Sequence, residues 1–495
     1  MKTVAGIDLG TQSMKIVVYD YLKRTEVIKT SAKIDMIAEN DGTREQKTQW
    51  YRDALKSCFE RIPAEIRASI RALGVSGQQH GFVALDKNAE PVYNIKLWND
   101  TSTLEECKAL TKKLGGDEKV IEEAGNVIIP SFTAGKILWL KEHKREAFKA
   151  MRYIMLPHDY VNFLLTGNYV MEYGDASGTV LLNAKKHIWS KKICDAIDPI
   201  LYEKLPPLIS PDKAAGVVCK KASGEFGIPE GIVVSSGGGD NMMGAIGTGT
   251  VEEGILTMSM GTSGTLYGYS DNLVADPLNG ISGFCSSTGG YLPLLCTMNC
   301  TVVTEYTRSL FGLSVKDFDE EAAKSVPGAD GVFIMPYLNG ERFPHLPHGK
   351  CSIEGLTAGN YRKENICRAA LESAAFAMKG GIELFEKLGF KAKEIRLIGG
   401  GAKSAIWRQI TADIMGFPIV MPLYDEAAAL GAALQALYVL ELSEGKKVSI
   451  ASLCAEHVKI NGTASTVPNP QNRKAYDARY DDYRTMLGCL SGLYK

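Results

Sequence analysis

The chain has 495 residues, 45% hydrophobic and 23% charged, with 56 Lys+Arg against 57 Asp+Glu and a net charge of -1. Single cores stop growing near roughly 250–300 residues, so two domains are expected. The charge balance argues against nucleic acid or an anionic membrane surface as a bulk partner, leaving room only for a local anion pocket.

The 11 cysteines are odd in number and form no CxxC pair, which fits a reduced protein and makes zinc an unlikely expectation. Asp8 interrupts any apolar leader, and no apolar run of about 18 residues exists to span a bilayer. A cytoplasmic location is expected.

Val4–Leu9, apolar apart from Asp8, runs into Gly10-Thr11, and Lys15–Asp20 follows with Ile16, Val17 and Val18. Strand, Gly-Thr turn, strand predicts a hairpin. Residues 50–62 and 103–124 read as helical. The short strand Ala72–Val75 enters Ser76-Gly77-Gln78-Gln79-His80-Gly81. Near the midpoint, strand Ile232–Ser235 enters Gly237-Gly238-Gly239-Asp240-Asn241, and helical alanines and glycines continue to Gly249. Strand Gly254–Met260 ends in Gly261-Thr262-Ser263-Gly264, and Thr265–Tyr269 continues as another strand. The two Gly-Thr turns lie about half the chain apart, which suggests duplicated domains with a boundary near Gly244–Gly249.

Ile366 to Met378 keep a 3.6-residue period until Gly380-Gly381, where the helix is expected to stop. Strand Glu394–Ile398 then meets the loop Gly399-Gly400-Gly401-Ala402, with Ser404 as N-cap of a helix bearing Trp407, Ile410 and Ile414. Residues 427–440 read as an Ala/Leu-rich helix around Gly431. Tyr476, Tyr480 and Tyr483 read as the packing stripe of a tail helix.

No Gly-Lys-Ser/Thr and no GxGxxG occurs, so neither a P-loop nor the dinucleotide fingerprint is present. The Gly-Thr turns are the alternative. A turn at a strand end exposes backbone N–H groups to phosphate oxygens, and a Thr hydroxyl adds a donor. Gly10, Thr11, Gln12 and Ser13 form one candidate cradle, Gly261 and Thr262 the other. Lys15 could reach phosphate, and Asp8 could hold Mg²⁺ through its waters. Either turn alone also reads as a plain hairpin; one per half favours the cradle. Gly400, Gly401, Ala402 and Ser404 form a strand-to-helix loop on which a ligand can lie flat, or simply a connection.

Asp240, straight after three glycines, suits a general base; it also suits a helix cap. Gln79-His80 and Trp98-Asn99-Asp100 offer the polar groups and flat apolar face of a sugar pocket. The seven histidines show no ligand spacing. Glu341-Arg342 reads as a structural ion pair at a domain junction. The 50 glycines exceed the usual share of about 7%, and their tight groups are read as places where backbone approaches a ligand.

These residues resemble the FGGY carbohydrate kinases over essentially the full length and in motif order. The resemblance rests on Gly6-Ile7-Asp8-Leu9-Gly10-Thr11, Gly77-Gln78-Gln79-His80-Gly81, Leu97-Trp98-Asn99-Asp100 and Gly237-Gly238-Gly239-Asp240-Asn241. It continues through Met260-Gly261-Thr262-Ser263-Gly264, Pro336–Arg342, Ile398–Ala402 with Trp407-Arg408-Gln409, and the stretch around Thr133, Lys136, Trp139 and His143.

The resemblance implies an α/β protein of two ribonuclease-H-like, actin-like domains hinged over a central cleft. Residues 1–245 would form the sugar-binding side and 246–495 the nucleotide-binding side. It implies Asp240 as catalytic base and Gln79, His80, Trp98, Asn99, Asp100 and Asn241 at the sugar. Gly10, Thr11, Gln12, Ser13, Lys15, Gly261, Thr262, Gly400, Gly401, Ala402 and Ser404 fall on the ATP side, and Asp8 on the metal side. The reaction implied is ATP- and Mg²⁺-dependent phosphorylation of a ketopentose, D-xylulose first, at its terminal hydroxyl.

The alternatives are an FGGY kinase for ribulose, fuculose or glycerol, a non-kinase actin-like ATPase, or an idle sugar sensor. A homodimer is the expected assembly. Gln79 stands where family members often carry Met, adding a donor and an acceptor beside His80. Cys351, where a small residue is usual, reads as neutral.

Overall fold

The computed structural model describes residues 1–494; Lys495, the last residue of the expected second domain, lies outside the described residues. Two mixed sheets organise the chain. The first contains β1 (Thr3–Leu9), β2 (Ser13–Asp20), β3 (Thr25–Lys33), β4 (Ile70–Gly77), β5 (Ala214–Val217) and β6 (Val233–Ser235) in the order β5-β6-β4-β1-β2-β3. The second contains β7 (Ile255–Met260), β8 (Gly264–Gly268), β9 (Ile281–Cys285), β10 (Tyr291–Thr297), β11 (Glu394–Ile398) and β12 (Ile419–Val420) in the order β9-β10-β8-β7-β11-β12.

The halves repeat one pattern. An antiparallel meander, β1-β2-β3, is extended by parallel β4 and β6 on the β1 side. Likewise β7-β8-β10 is antiparallel, with parallel β11 and β12 beside β7. This is the expected pair of ribonuclease-H-like units. β1 is buried along its length except at Asp8, because parallel strands take covering layers on both faces.

Five helices matter below: α1 (Asp240–Thr248), α2 (Lys363–Lys387), α3 (Ala405–Met415), α4 (Ala427–Ser443) and α5 (Pro470–Ser491). α4 belongs in sequence to the second half, yet it packs on β1 and β4 of the first sheet and against α1. Its backbone touches theirs. An ideal Cβ on Gly6 would overlap the Ala429 carbonyl, one on Gly74 the Ala432 carbonyl, and one on Gly431 the Met243 carbonyl. Part of the glycine excess therefore serves backbone packing between elements, which corrects its reading as ligand loops alone.

Two helix expectations change. Residues 103–124 form two helices, Leu104–Leu114 and Asp117–Ala124, because Gly115 and Gly116 take φ of 96° and 101°. α2 continues through Gly380-Gly381 to Lys387; Gly381 is buried and an ideal Cβ there would meet Leu295 at 3.0 Å, so close approach explains it. Ser404 caps α3 as expected, its Oγ accepting from the Trp407 N–H. Tyr476, Tyr480 and Tyr483 are buried on α5, with Phe376 stacked on the last two. Among the described residues no helix is long and apolar enough to cross a membrane.

Candidate active site

Most of the singled-out segments lie at the carboxyl ends of parallel strands, where open α/β sheets bind ligands. In the first sheet, β1 ends at Leu9 and β4 at Gly77, and the two-residue strand Gly238–Gly239 pairs with Ser76 and Gly77. Asp8, the first Gly-Thr turn, Gln79-His80 and Asp240 thus share one edge. In the second sheet, Ser259 of β7 faces Ile398 of β11, so the 261–263 turn and the Gly399–Gly401 loop are neighbours.

The two turns are built alike and anchored differently. Gly10 N–H donates to the Ser13 carbonyl (3.0 Å), and Gly261 N–H to the Ser263 carbonyl (3.2 Å). Thr11 Oγ1 donates to Gln78 Oε1 (3.1 Å) and accepts from Trp98 Nε1 (2.9 Å), while its carbonyl accepts from Gln46 Nε2 (2.7 Å). Gln12 is exposed beside it. In the second turn the carbonyls of Gly261 and Thr262 accept from Thr301 N–H (2.9 Å) and Cys300 N–H (3.0 Å), and Thr262 is exposed.

Gly399 takes φ of 95° against the Met260 backbone; Gly400 borders open space, whereas Ala402 is buried and Ser404 is spent as the cap. Lys15 is not free over its turn. Its Nζ is paired with Glu426 Oε2 (2.6 Å), while Lys29 Nζ approaches Glu426 Oε1 (3.6 Å).

Asp240 opens α1, but the capping position belongs to Gly239, so its side chain is not a helix cap. Its Oδ1 accepts from the Asn241 N–H (2.8 Å) and Nδ2 (3.0 Å). Burial, then the charges of Asp8 and Asp175, push its carboxyl up to about 7. Asp8 accepts from Ser76 Oγ (2.9 Å), and burial raises it also, outweighing Ser76 and Lys15. Both carboxyls remain partly exposed to the cleft.

On the wall lined by Gln79 and His80, Gln79 Oε1 accepts from Asn241 Nδ2 (2.7 Å) and its Nε2 contacts Met242 Sδ (3.2 Å). His80 sits at φ 63°, its carbonyl taking bonds from Lys136 Nζ (2.8 Å) and Thr133 Oγ1 (3.1 Å). Its ring stacks on Phe284 and meets Phe132 edge-on. Asn99 Oδ1 has no partner. Asp100 is different. Fully buried, it accepts from Arg44 N–H, Lys96 Nζ and both Ser102 donors, so it braces the wall and offers no lone pair to a ligand.

Glu341 and Arg342 do not pair through their side chains, correcting that expectation. Glu341 accepts from the Met298 and Asn299 N–H groups, while Arg342 crosses to Ser131 Oγ (2.9 Å). Sequence reasoning missed what Lys136, Asp175, Gln78 and Phe284 do here; only Lys136, a lone charge in the apolar stretch Ala134–Leu138, left a signal.

Residues 3–247 match the model of the N-terminal domain of the FGGY family of carbohydrate kinases, and residues 246–440 that of its C-terminal domain. The chain belongs to this family. As an FGGY carbohydrate kinase it is a phosphotransferase with an alcohol acceptor, and it uses ATP. It is 41% identical to the xylulose kinase of Haemophilus influenzae over 98% of this chain and 99% of that one. To the xylulose kinase of Escherichia coli it is 30% identical over 97% and 98%. Among solved structures, a xylulose kinase from Bifidobacterium adolescentis superposes with a TM-score of 0.80 at 30% identity, covering 96% of this chain and 99% of that one.

Proposed function

We propose that this FGGY kinase transfers the γ-phosphoryl group of ATP to the 5-hydroxyl of D-xylulose, giving D-xylulose 5-phosphate and ADP. End-to-end likeness to xylulose kinases, up to 41% identity, carries the choice of sugar. Residues 1–245 form the sugar side and 246–495 the nucleotide side, with α4 returning to the first sheet.

Asp240 is the base. Its raised proton affinity lets it accept the sugar hydroxyl's proton near neutral pH as that oxygen attacks phosphorus. Gln79, His80, Trp98, Asn99 and Asn241 hold the sugar, with Asp100 behind them. The N–H groups of the turns at Gly10–Ser13 and Gly261–Thr262, apart from those of Gly10 and Gly261 that close the turns, hold phosphate oxygens, and Gly400–Gly401 support the nucleotide base. Domain closure over the cleft excludes water and so suppresses futile ATP hydrolysis.

Asp8 raises the proton affinity of Asp240, and no cation is bonded to either carboxylate, a donor set that fits Mg²⁺. Asp8 belongs to no close cluster of three ligands among the described residues, so Mg²⁺ there would keep most of its waters. When bound, Mg²⁺ supplies charge neutralisation on the transferred phosphoryl group.

The test is ADP release with a panel of ketopentoses, ketohexoses and polyols. The highest kcat/KM is expected with D-xylulose; equal ADP release without sugar would refute the proposal.

A further inference from the structure

The proposed transfer leaves a buried carboxylate unused. Asp175 lies on the short helix Tyr173–Ser177, whose start is fixed by Glu172 accepting from the Gly174 and Asp175 N–H groups. Asp175 is fully buried and divides its oxygens between two histidines. Oδ2 meets His158 Nδ1 at 3.1 Å, and Oδ1 faces His80 Nδ1 at 3.5 Å. On its far side His158 Nε2 lies 3.0 Å from Asp159 Oδ1, and the two carboxylates hold this imidazole protonated against burial. Asp175 therefore has a counter-ion and stays ionised, held low by His158 and His80 despite its burial.

The His80 contact is unfinished. Neither His80 Nδ1 nor Asp175 Oδ1 has a hydrogen-bond partner elsewhere. A movement of about half an ångström brings the pair into ordinary bonding distance. Each atom left alone would carry the cost of a buried unsatisfied group, so closure is favoured. The ring cannot turn away from Asp175. Phe132 blocks it edge-on at 4.9 Å and Phe284 stacks on it at 5.4 Å. Gly178 closes the remaining side; an ideal Cβ there would strike the ring at Nδ1 and Cε1. Lys136 and Thr133 meanwhile fix the backbone through the His80 carbonyl.

We infer that Asp175 is a positioning residue for the sugar side: it takes the Nδ1–H of His80 and leaves Nε2 as a bare acceptor for a substrate hydroxyl. A neutral imidazole has one donor and one acceptor nitrogen, and the partner of the first decides the role of the second. Burial keeps this imidazole neutral. Such a site selects sugars carrying a hydroxyl at that position, because a deoxy analogue leaves the acceptor unpaired. The inference rests on the proposed ketose kinase reading only in naming the donor as a sugar hydroxyl.

The test combines long-range ¹H–¹⁵N NMR of the histidine rings with kinetics, a His80→Gln variant identifying the His80 signals. In the wild type, His80 is expected as the Nδ1–H tautomer. An Nε2–H tautomer there would overturn the inference whether or not any variant folds. Asp175→Asn should shift the His80 signals toward Nε2–H and raise KM for D-xylulose about tenfold, leaving KM for ATP within about twofold. Unchanged nitrogen signals together with an unchanged sugar KM would overturn it. A wild type inactive on D-xylulose would fail the proposed reaction, and the nitrogen signals would still decide the tether.

Discussion

Replacing Asp240 with Asn should stabilise the folded protein at alkaline pH while removing its activity. Burial and the neighbouring Asp8 and Asp175 charges move the Asp240 carboxyl from an ordinary aspartate's 3.8 to about 7. A folded-state value above the unfolded one means that the folded protein binds this proton more tightly. The resulting stabilisation is complete below pH 3.8 and is lost as pH rises through about 7. At about 1.4 kcal/mol per pH unit, the whole interval is worth roughly 4 kcal/mol.

Asp240 is partly exposed to the cleft, and screening there brings the difference between about pH 5 and pH 8.5 down to roughly 1–2 kcal/mol. Asn does not titrate, and most other groups titrate alike in both proteins and cancel. Urea unfolding of wild type and D240N across this range, without nucleotide or metal, should show the advantage of D240N growing by that amount. A pH-independent difference, or one growing toward acid, would refute the reasoning.

Gly431→Val should lower stability by at least about 2 kcal/mol, since its side chain collides with the Met243 carbonyl where α4 crosses α1; a urea midpoint equal to wild type would contradict that packing. Lys136→Met takes one donor from the Ser131 carbonyl and one from the His80 carbonyl, which keeps only Thr133, so KM for D-xylulose should rise about tenfold with KM for ATP unchanged. Loss on the ATP side instead would show that Lys136 acts elsewhere. Trp98→Phe keeps a flat face but removes the indole bond to Thr11, about 1 kcal/mol, and should raise KM for ATP about fivefold. An effect confined to the sugar would place Thr11 away from phosphate.

The elements legible in the sequence were those with local signals. The hairpins around Gly10-Thr11 and Gly261-Thr262, the cap at Ser404 and the tyrosine stripe of α5 follow from turn chemistry and period, and their mates lie within a few residues. The repeat of two Gly-Thr turns pointed to duplication, and the shared pattern of an antiparallel meander extended by two parallel strands fits it. What escaped depends on distant partners. Nothing local distinguishes Asp175, which meets His80 and His158, from any acidic residue on a short helix. Lys15 read as a phosphate contact because Glu426, its partner, is 411 residues away. Asp100 read as a sugar ligand because Arg44 and Lys96, which consume its lone pairs, become visible only when the wall folds. The close backbone approaches at Gly6 and Gly431 were not legible, because contact between elements far apart in sequence leaves no periodic mark.

The central claim, that Asp240 drives phosphoryl transfer to D-xylulose, is tested most directly by following the labelled γ-phosphate of ATP. Wild type should place the label on the 5-oxygen of D-xylulose. D240N should bind ATP with an unchanged Kd and transfer the label about a thousandfold more slowly, within the range of roughly 10²–10⁴ for a general base. Transfer by D240N at the wild-type rate would contradict the account.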